Sequence, residues 1–154
     1  MSSVENYIPY QPNAQGLTEA LIDLKSTMPS QTVFKVTGYN TTCFEDVTQG
    51  QVLYSRASDG QVGKAIANDT FDKACVAGVA ETTKSAGQIV RVIVSGIVAT
   101  SGLNTGDQYF LSAASAGAIV ETPPSSAGQY VTRVGEAGST GQFIVNAERP
   151  ILLS

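Results

Sequence analysis

The chain has 154 residues, a formal net charge of −4 and only 14% charged residues, against about 25% in a typical soluble protein. Its length suits one domain, and we interpret the low charge as a surface partly covered by a partner, the alternative being that Ser, Thr and Gln solvate it. The sequence has no run of Lys or Arg that could bind along a phosphate backbone, so we expect no nucleic-acid partner. No apolar stretch approaches the roughly 20 residues of a membrane helix, and the N-terminus lacks signal-peptide features. We therefore expect no membrane partner, and assembly in a cytoplasm.

The residue types on which most enzymes depend are scarce in this sequence. Histidine is absent, which removes the commonest general base and the commonest metal ligand. Cys43 and Cys75 lie far apart, with no second Cys at metal-ligand spacing, so we expect buried free thiols, while a disulfide between them stays open. The sequence therefore predicts no enzyme: no catalytic residue, no cofactor and no metal.

Residues 1–30 form the first of two expected parts, an extended N-terminal arm followed by a short amphipathic helix, and residues 31–154 form the second, a β domain. In the arm, prolines forbid a helix and aromatic side chains are unfavourable in water. We expect the arm to dock on a partner or to fold back on its own domain. Its candidate contact residues are Tyr7, Ile8, Pro9, Tyr10 and Pro12.

A single helix is predicted over residues 16–28. Thr18 is a suitable N-cap, and Pro29 ends the pattern. Apolar residues recur at i, i+3 and i+4 on one face. That face contains Leu17, Ala20, Leu21, Leu24 and Met28. Because about three turns of helix are marginal alone, the face has to pack on the β domain or on a neighbouring subunit, and its three leucines are candidate contact residues.

A Gly-Gln phrase followed by apolar residues returns five times along the remainder of the chain. Glycine adopts the positive φ of a tight turn, and β-branched or aromatic residues fit a half-buried strand. The phrase begins at Gly50, Gly60, Gly87, Gly128 and Gly141. This pattern predicts a mainly β fold, an antiparallel β-barrel or β-sandwich, with the extended N-terminal arm and one short α-helix added to it.

About ten short strands are predicted after residue 31. They cover residues 32–37, 43–47, 51–55, 62–67, 74–79, 88–94, 96–100, 108–112, 118–121, 129–134 and 142–147. Ser95-Gly96 separates two of them as a hairpin turn or a bulge. Residues 68–72 are predicted to be a loop whose carboxylates cap turns, with a bound cation as the alternative. The adjacent Glu45 and Asp46 point to opposite faces of a strand, which is unsuitable for a paired-carboxylate site.

Several of these strand phrases resemble a known class of β module. Residues 49–153 look like a module of tailed-bacteriophage virion proteins, similar to small capsid cement (head decoration) proteins, and related modules occur in phage tail-fibre proteins. The phrases that carry the resemblance are GQVLY at 50–54, VAGVA at 76–80, VSGIV at 94–98, LNTGDQYFLS at 103–112, VTRVG at 131–135 and RPILL at 149–153. The resemblance implies no catalytic residue in this chain, and it does not include the N-terminal arm or its helix.

The resemblance implies a virion structural protein that binds the outside of a phage capsid and stabilises it by bridging capsomers. The implied partners are the major capsid protein and further copies of the chain, expected as a homotrimer at local three-fold positions. The implied location is the capsid surface, after assembly in the host cytoplasm. The alternative is a tail-fibre or receptor-binding adhesin component. Trp is absent and most Tyr and Phe lie inside strand patterns, so few aromatics are left in loops to stack on sugars, which favours the cement role.

Overall fold

The computed structural model divides the chain into two units, residues 1–34 and 35–154, and describes residues 35–139 and 141–154. The predicted arm and the predicted helix over residues 16–28 lie outside the described residues, as do all eight candidate contact residues. The described part is mainly β and antiparallel, which confirms the predicted fold class there. Its elements are β1 (Thr37–Thr42), β2 (Val52–Ser55), β3 (Val62–Lys64), α1 (Phe71–Ala74), β4 (Gly78–Ala80), β5 (Ile89–Ala99), β6 (Gln108–Leu111), β7 (Ile119–Val120), β8 (Tyr130–Val131), β9 (Arg133–Ser139), β10 (Gln142–Asn146) and β11 (Ile151–Leu152).

Nine of these strands form one sheet, in the order β3-β2-β4-β5-β10-β9-β6-β7, with β1 paired to β5. The strands β8 and β11 pair with each other in a separate two-stranded ribbon. Backbone hydrogen bonds join the two ends of the strand order. The N–H of Gly117 donates to Ala65 at 2.7 Å, and its carbonyl accepts from Val52 at 2.9 Å. The sheet therefore curls into a partly closed barrel.

Three of the Gly-Gln phrases form the same hydrogen-bonded turn. In each, a Ser or Thr lies three residues before the Gln. The Gln N–H donates to the carbonyl of that residue, and the Gln side-chain Oε1 accepts from its N–H. The pairs are Thr48 with Gln51, Ser85 with Gln88 and Ser126 with Gln129, and the intervening glycines have φ of 87°, 88° and 86°. Glutamine thus closes the turn that the glycine permits.

The predicted hairpin over residues 88–100 is wrong, because β5 is one continuous strand of 11 residues. The bulge alternative at Ser95-Gly96 is closer to the structure, since the register between β1 and β5 skips Val94. Gly96 has φ of 119°, and a Cβ there would lie 2.7 Å from the Cα of Val36. Glycine therefore allows the chain entering β1 to cross close over β5.

Four further predictions are corrected by the structure. The strand predicted over residues 32–37 is observed as Thr37–Thr42, and residues 32–34 lie outside the described part. Residues 43–47 form isolated bridges at Cys43 and Val47 instead of a strand. The predicted loop at 68–72 and the start of the strand predicted at 74–79 contain α1, a single helical turn. Thr70 caps it, accepting at its Oγ1 from the N–H of Lys73 at 3.3 Å.

The core consists of two clusters of buried apolar side chains, and β5 contributes to both. The larger cluster includes Val52, Tyr54, Ile93, Val98, Tyr109, Leu111, Val134, Phe143 and Val145. The smaller one contains Cys43, Val47, Leu53, Val62, Ala80, Val90 and Val92. Because neighbouring residues of a strand point to opposite faces, Val92 and Ile93 enter different clusters. Residues of β5 before the bulge thus bury both faces of the strand.

Candidate interaction surfaces

Seven large apolar side chains are exposed on the described domain, and three of them lie close to the C-terminal ribbon. We use the name ribbon face for the exposed apolar residues at the ribbon, Phe71, Ile151 and Leu152; Leu152 lies on the side of its cross-strand partner Tyr130, which contacts Phe71, and Ile151 lies on the opposite side. Ile151 is 64% exposed, Leu152 59% and Phe71 43%. The other four are Val36, Tyr39, Ile89 and Val94, on or beside β1 and β5. Isolated exposed apolar residues are normal on a protein surface, whereas clusters of them mark interaction sites.

The ribbon face is held by backbone pairing and by aromatic packing. Leu152 pairs with Tyr130 across the ribbon, and the N–H of Tyr130 donates to the carbonyl of Ala67 at 2.9 Å, which ties the ribbon to the barrel. The rings of Phe71 and Tyr130 meet edge to face with centroids 6.0 Å apart. Asp69 and Lys73 form an ion pair of 2.7 Å at α1. The exposed side chains are therefore presented by fixed backbone.

A groove lies between β7, the residues just before β2 and the residues that follow β5, next to the hydrogen bonds that Gly117 makes. It consists of two adjoining pockets of about 440 and 630 Å³ that share Ser101, Leu103 and Ile119. Leu103 and Ile119 also pack against the larger core cluster, so they form an apolar floor. Most of the remaining wall is polar or small: Gln49, Gly50, Gln51, Thr100, Gly102, Ala118, Glu121 and Thr122 are among its members.

Glu121 is held in one orientation at the mouth of this groove. Its Oε2 accepts from the Tyr109 hydroxyl at 2.9 Å and from Asn104 Nδ2 at 2.6 Å. The Tyr109 hydroxyl in turn accepts from the backbone N–H of Asn104 at 2.8 Å. Burial raises the pKa of the Tyr109 phenol, and the Glu121 carboxylate raises this pKa further. Tyr109 therefore stays protonated and remains a donor to Glu121 at neutral pH.

The carboxylates considered from the sequence have structural contacts. Glu45 accepts at Oε2 from the backbone N–H of Lys64 at 2.7 Å, and Asp46 accepts from the N–H of Ala86 at 2.8 Å. Among residues 35–139 and 141–154, no group of three or more Cys, Asp or Glu side chains is arranged to hold a metal ion. Glu45 and Asp46 therefore each accept a hydrogen bond from a backbone N–H of the described domain.

Both cysteines are free thiols, as expected, but the expected burial is confirmed for Cys43 only. Cys43 is buried and its Sγ donates to the carbonyls of Ser85 and Gln88. Cys75 is half-buried, and burial, together with the charge of Asp72, raises the pKa of its thiol.

We expect iodoacetamide to modify Cys75 well before Cys43 in the folded protein, because the thiolate is the nucleophile and only Cys75 has access to solvent. Its labelling rate should still be rising at a pH above the usual thiol range. Mass spectrometry of peptides from a labelling time course measures both sites, with the Cys75→Ser variant as the control. Equal rates at the two thiols would contradict this arrangement.

The sequence indicated neither the ribbon face nor the groove. The apolar run at residues 151–153 was visible, but a pattern of this kind does not distinguish buried from exposed residues. A Glu after two apolar residues, as at Glu121, is common at the end of a strand and does not by itself indicate a site. Its contacts with Asn104 and Tyr109 depend on the register of β6 with β7. The non-local pairing that builds both surfaces has no local signal.

The described residues contain no helix long and apolar enough to cross a membrane. Comparison with protein-family models and with curated proteins finds no match for this chain.

Proposed function

We propose that this protein is a non-catalytic structural protein of a tailed-phage virion that binds the outside of the capsid and stabilises it by bridging capsomers. The observation that supports this proposal most is the ribbon face. Its exposed apolar side chains are held on fixed backbone, and such a surface is stabilised when a partner covers it. A capsid offers the same binding site many times, so contacts that are individually weak add up to a stable coat.

The proposal includes self-association and a contact made by the N-terminal arm. We propose a homotrimer at local three-fold positions, with residues 4–12 contacting the major capsid protein or a neighbouring subunit. An extended arm covers a large area with few residues, which suits a protein that bridges neighbours. The low charge of the chain supports the same assembly, because surface that is covered needs few charges for solubility.

Replacing Ile151 and Leu152 together with Thr tests the role of the ribbon face. Threonine keeps the β-propensity of the strand but removes most of the apolar surface. The lost apolar burial should reduce the binding free energy by about 2 kcal/mol per site, which raises the Kd roughly thirtyfold. Binding of the double variant to purified undecorated heads, measured by co-sedimentation over a range of protein concentrations, gives this ratio.

Ile89→Thr is the matched control, because Ile89 is 63% exposed on β5, outside the ribbon face. It should leave the affinity for heads unchanged. If both variants bind heads as tightly as the native protein, the ribbon face is not the contact. If the native protein binds host cells and not heads, the adhesin alternative replaces the cement role.

A further inference from the structure

The strand β7 forms the last position of the barrel sheet and has one partner strand, β6, in the described part of the chain. In an antiparallel pair, residues that exchange backbone hydrogen bonds alternate with residues whose N–H and C=O face the other way. Ser112 N–H donates to Ala118 at 3.0 Å, whereas Leu111, opposite Ile119, donates to Thr132 on its other side at 2.9 Å. The N–H and C=O of Ile119 therefore face away from β6. By the same alternation, those of Glu121 face that way too.

This free strand edge borders the groove. Ile119, Val120 and Glu121 line it, and Leu103 joins Ile119 in its apolar floor. A strand edge with unpaired N–H and C=O groups is a template for an added strand, and peptides that bind in this way take affinity from main-chain hydrogen bonds and specificity from side-chain pockets. The groove supplies both features at one place.

The charge of the groove indicates which kind of side chain a bound segment should carry. Glu121 is the one charged residue among the described residues that line it. No Lys or Arg of the described residues lies within ion-pair distance of its carboxylate. Asn104 and Tyr109 occupy Oε2, which leaves Oε1 without a hydrogen bond from the described residues. A carboxylate that is oriented but has no cation is complementary to a basic side chain.

We infer that the groove beside β7 binds an extended polypeptide segment by strand addition, with a Lys or Arg of that segment paired to Glu121. A neutral glycan fits the wall less well. Sugars stack on exposed aromatic faces, and the aromatic residue in this wall, Tyr109, is buried with its ring edge-to-face on Phe143. The inference stands apart from the virion role, since it concerns any partner that carries such a segment.

Selection of a displayed library of random dodecapeptides on the full-length protein tests this inference. We expect the enriched peptides to share a Lys or Arg and, once synthesised, to protect the backbone amides of Ile119 and Glu121 from hydrogen exchange. Glu121→Gln keeps an acceptor for Tyr109 and Asn104 but removes the charge. It should weaken binding about tenfold, the difference between a charged and a neutral hydrogen-bond acceptor.

Asp72→Asn is the matched control, since it changes net charge equally at an exposed carboxylate of α1 outside the groove. It should leave peptide affinity unchanged. In an added strand, every second residue of the peptide points its backbone N–H at β7. N-methylation at those residues should abolish binding, because strand addition needs their N–H groups. Failure to enrich any peptide, equal affinity of the native protein and Glu121→Gln, or protection of these amides by neutral oligosaccharides on a glycan panel would each overturn the inference.

Discussion

Replacing Phe143 with Ala is expected to lower the free energy of unfolding by about 3–5 kcal/mol. Phe143 is fully buried in the larger core cluster, where its ring meets Tyr109 edge to face with centroids 6.0 Å apart. Its strand neighbours Val98 and Ala137 pair with it on both sides of β10, so the barrel interior cannot close over the cavity without moving two strands. Urea denaturation followed by circular dichroism measures the loss.

Ile144→Ala is the control for this change. Ile144 is the next residue of the same strand, so its side chain lies on the opposite face, and it is half-buried. We expect Ile144→Ala to lower the free energy of unfolding by about half as much as Phe143→Ala or less, because less buried apolar surface is removed. Equal losses at the two positions would show that the faces of β10 have been assigned incorrectly.

Replacing Gly135 with Val is expected to lower the free energy of unfolding by about 3 kcal/mol. Gly135 lies in β9 opposite Val145 of β10, and a Cβ at this position would overlap the carbonyl oxygen of Ile144. A backbone atom cannot rotate away as a flexible side chain can. The pairing of β9 with β10 therefore has to open at the centre of the barrel.

Thermal and urea unfolding measure this effect, and Gly135→Ala provides a milder variant if the valine variant does not fold. Ala99→Val is the control because Ala99 is exposed at the end of β5, where added volume meets solvent. It should change stability by less than about 0.5 kcal/mol. If Gly135→Ala is as stable as the native protein, β9 and β10 are not as close as described.

The β class was predictable because the glycines of the Gly-Gln phrase mark turns by a local requirement. All five have positive φ, between 74° and 88°. The single strand β5 was not predictable, since Ser95-Gly96 has the composition of a turn and only its pairing with β1 and β10 keeps the chain extended. The turn α1 was missed because four residues are too few for a helical period.

The two candidate surfaces depend on pairings between residues distant in sequence. Tyr130 and Leu152 meet across the ribbon, and Glu121 reaches Asn104 over 17 positions. Composition predicted that some surface is covered but not which residues form it. Only the register of β6 with β7 shows that Ile119 has a free edge.

Co-sedimentation of the full-length protein with undecorated phage heads, beside host cells in the same preparation, tests the proposed cement role most directly. We expect saturable binding to heads at a fixed ratio per capsid protein, no binding to cells, and a higher temperature of DNA release from the decorated heads. Binding to cells alone, or binding to heads that neither saturates nor alters their heat resistance, would contradict the proposal.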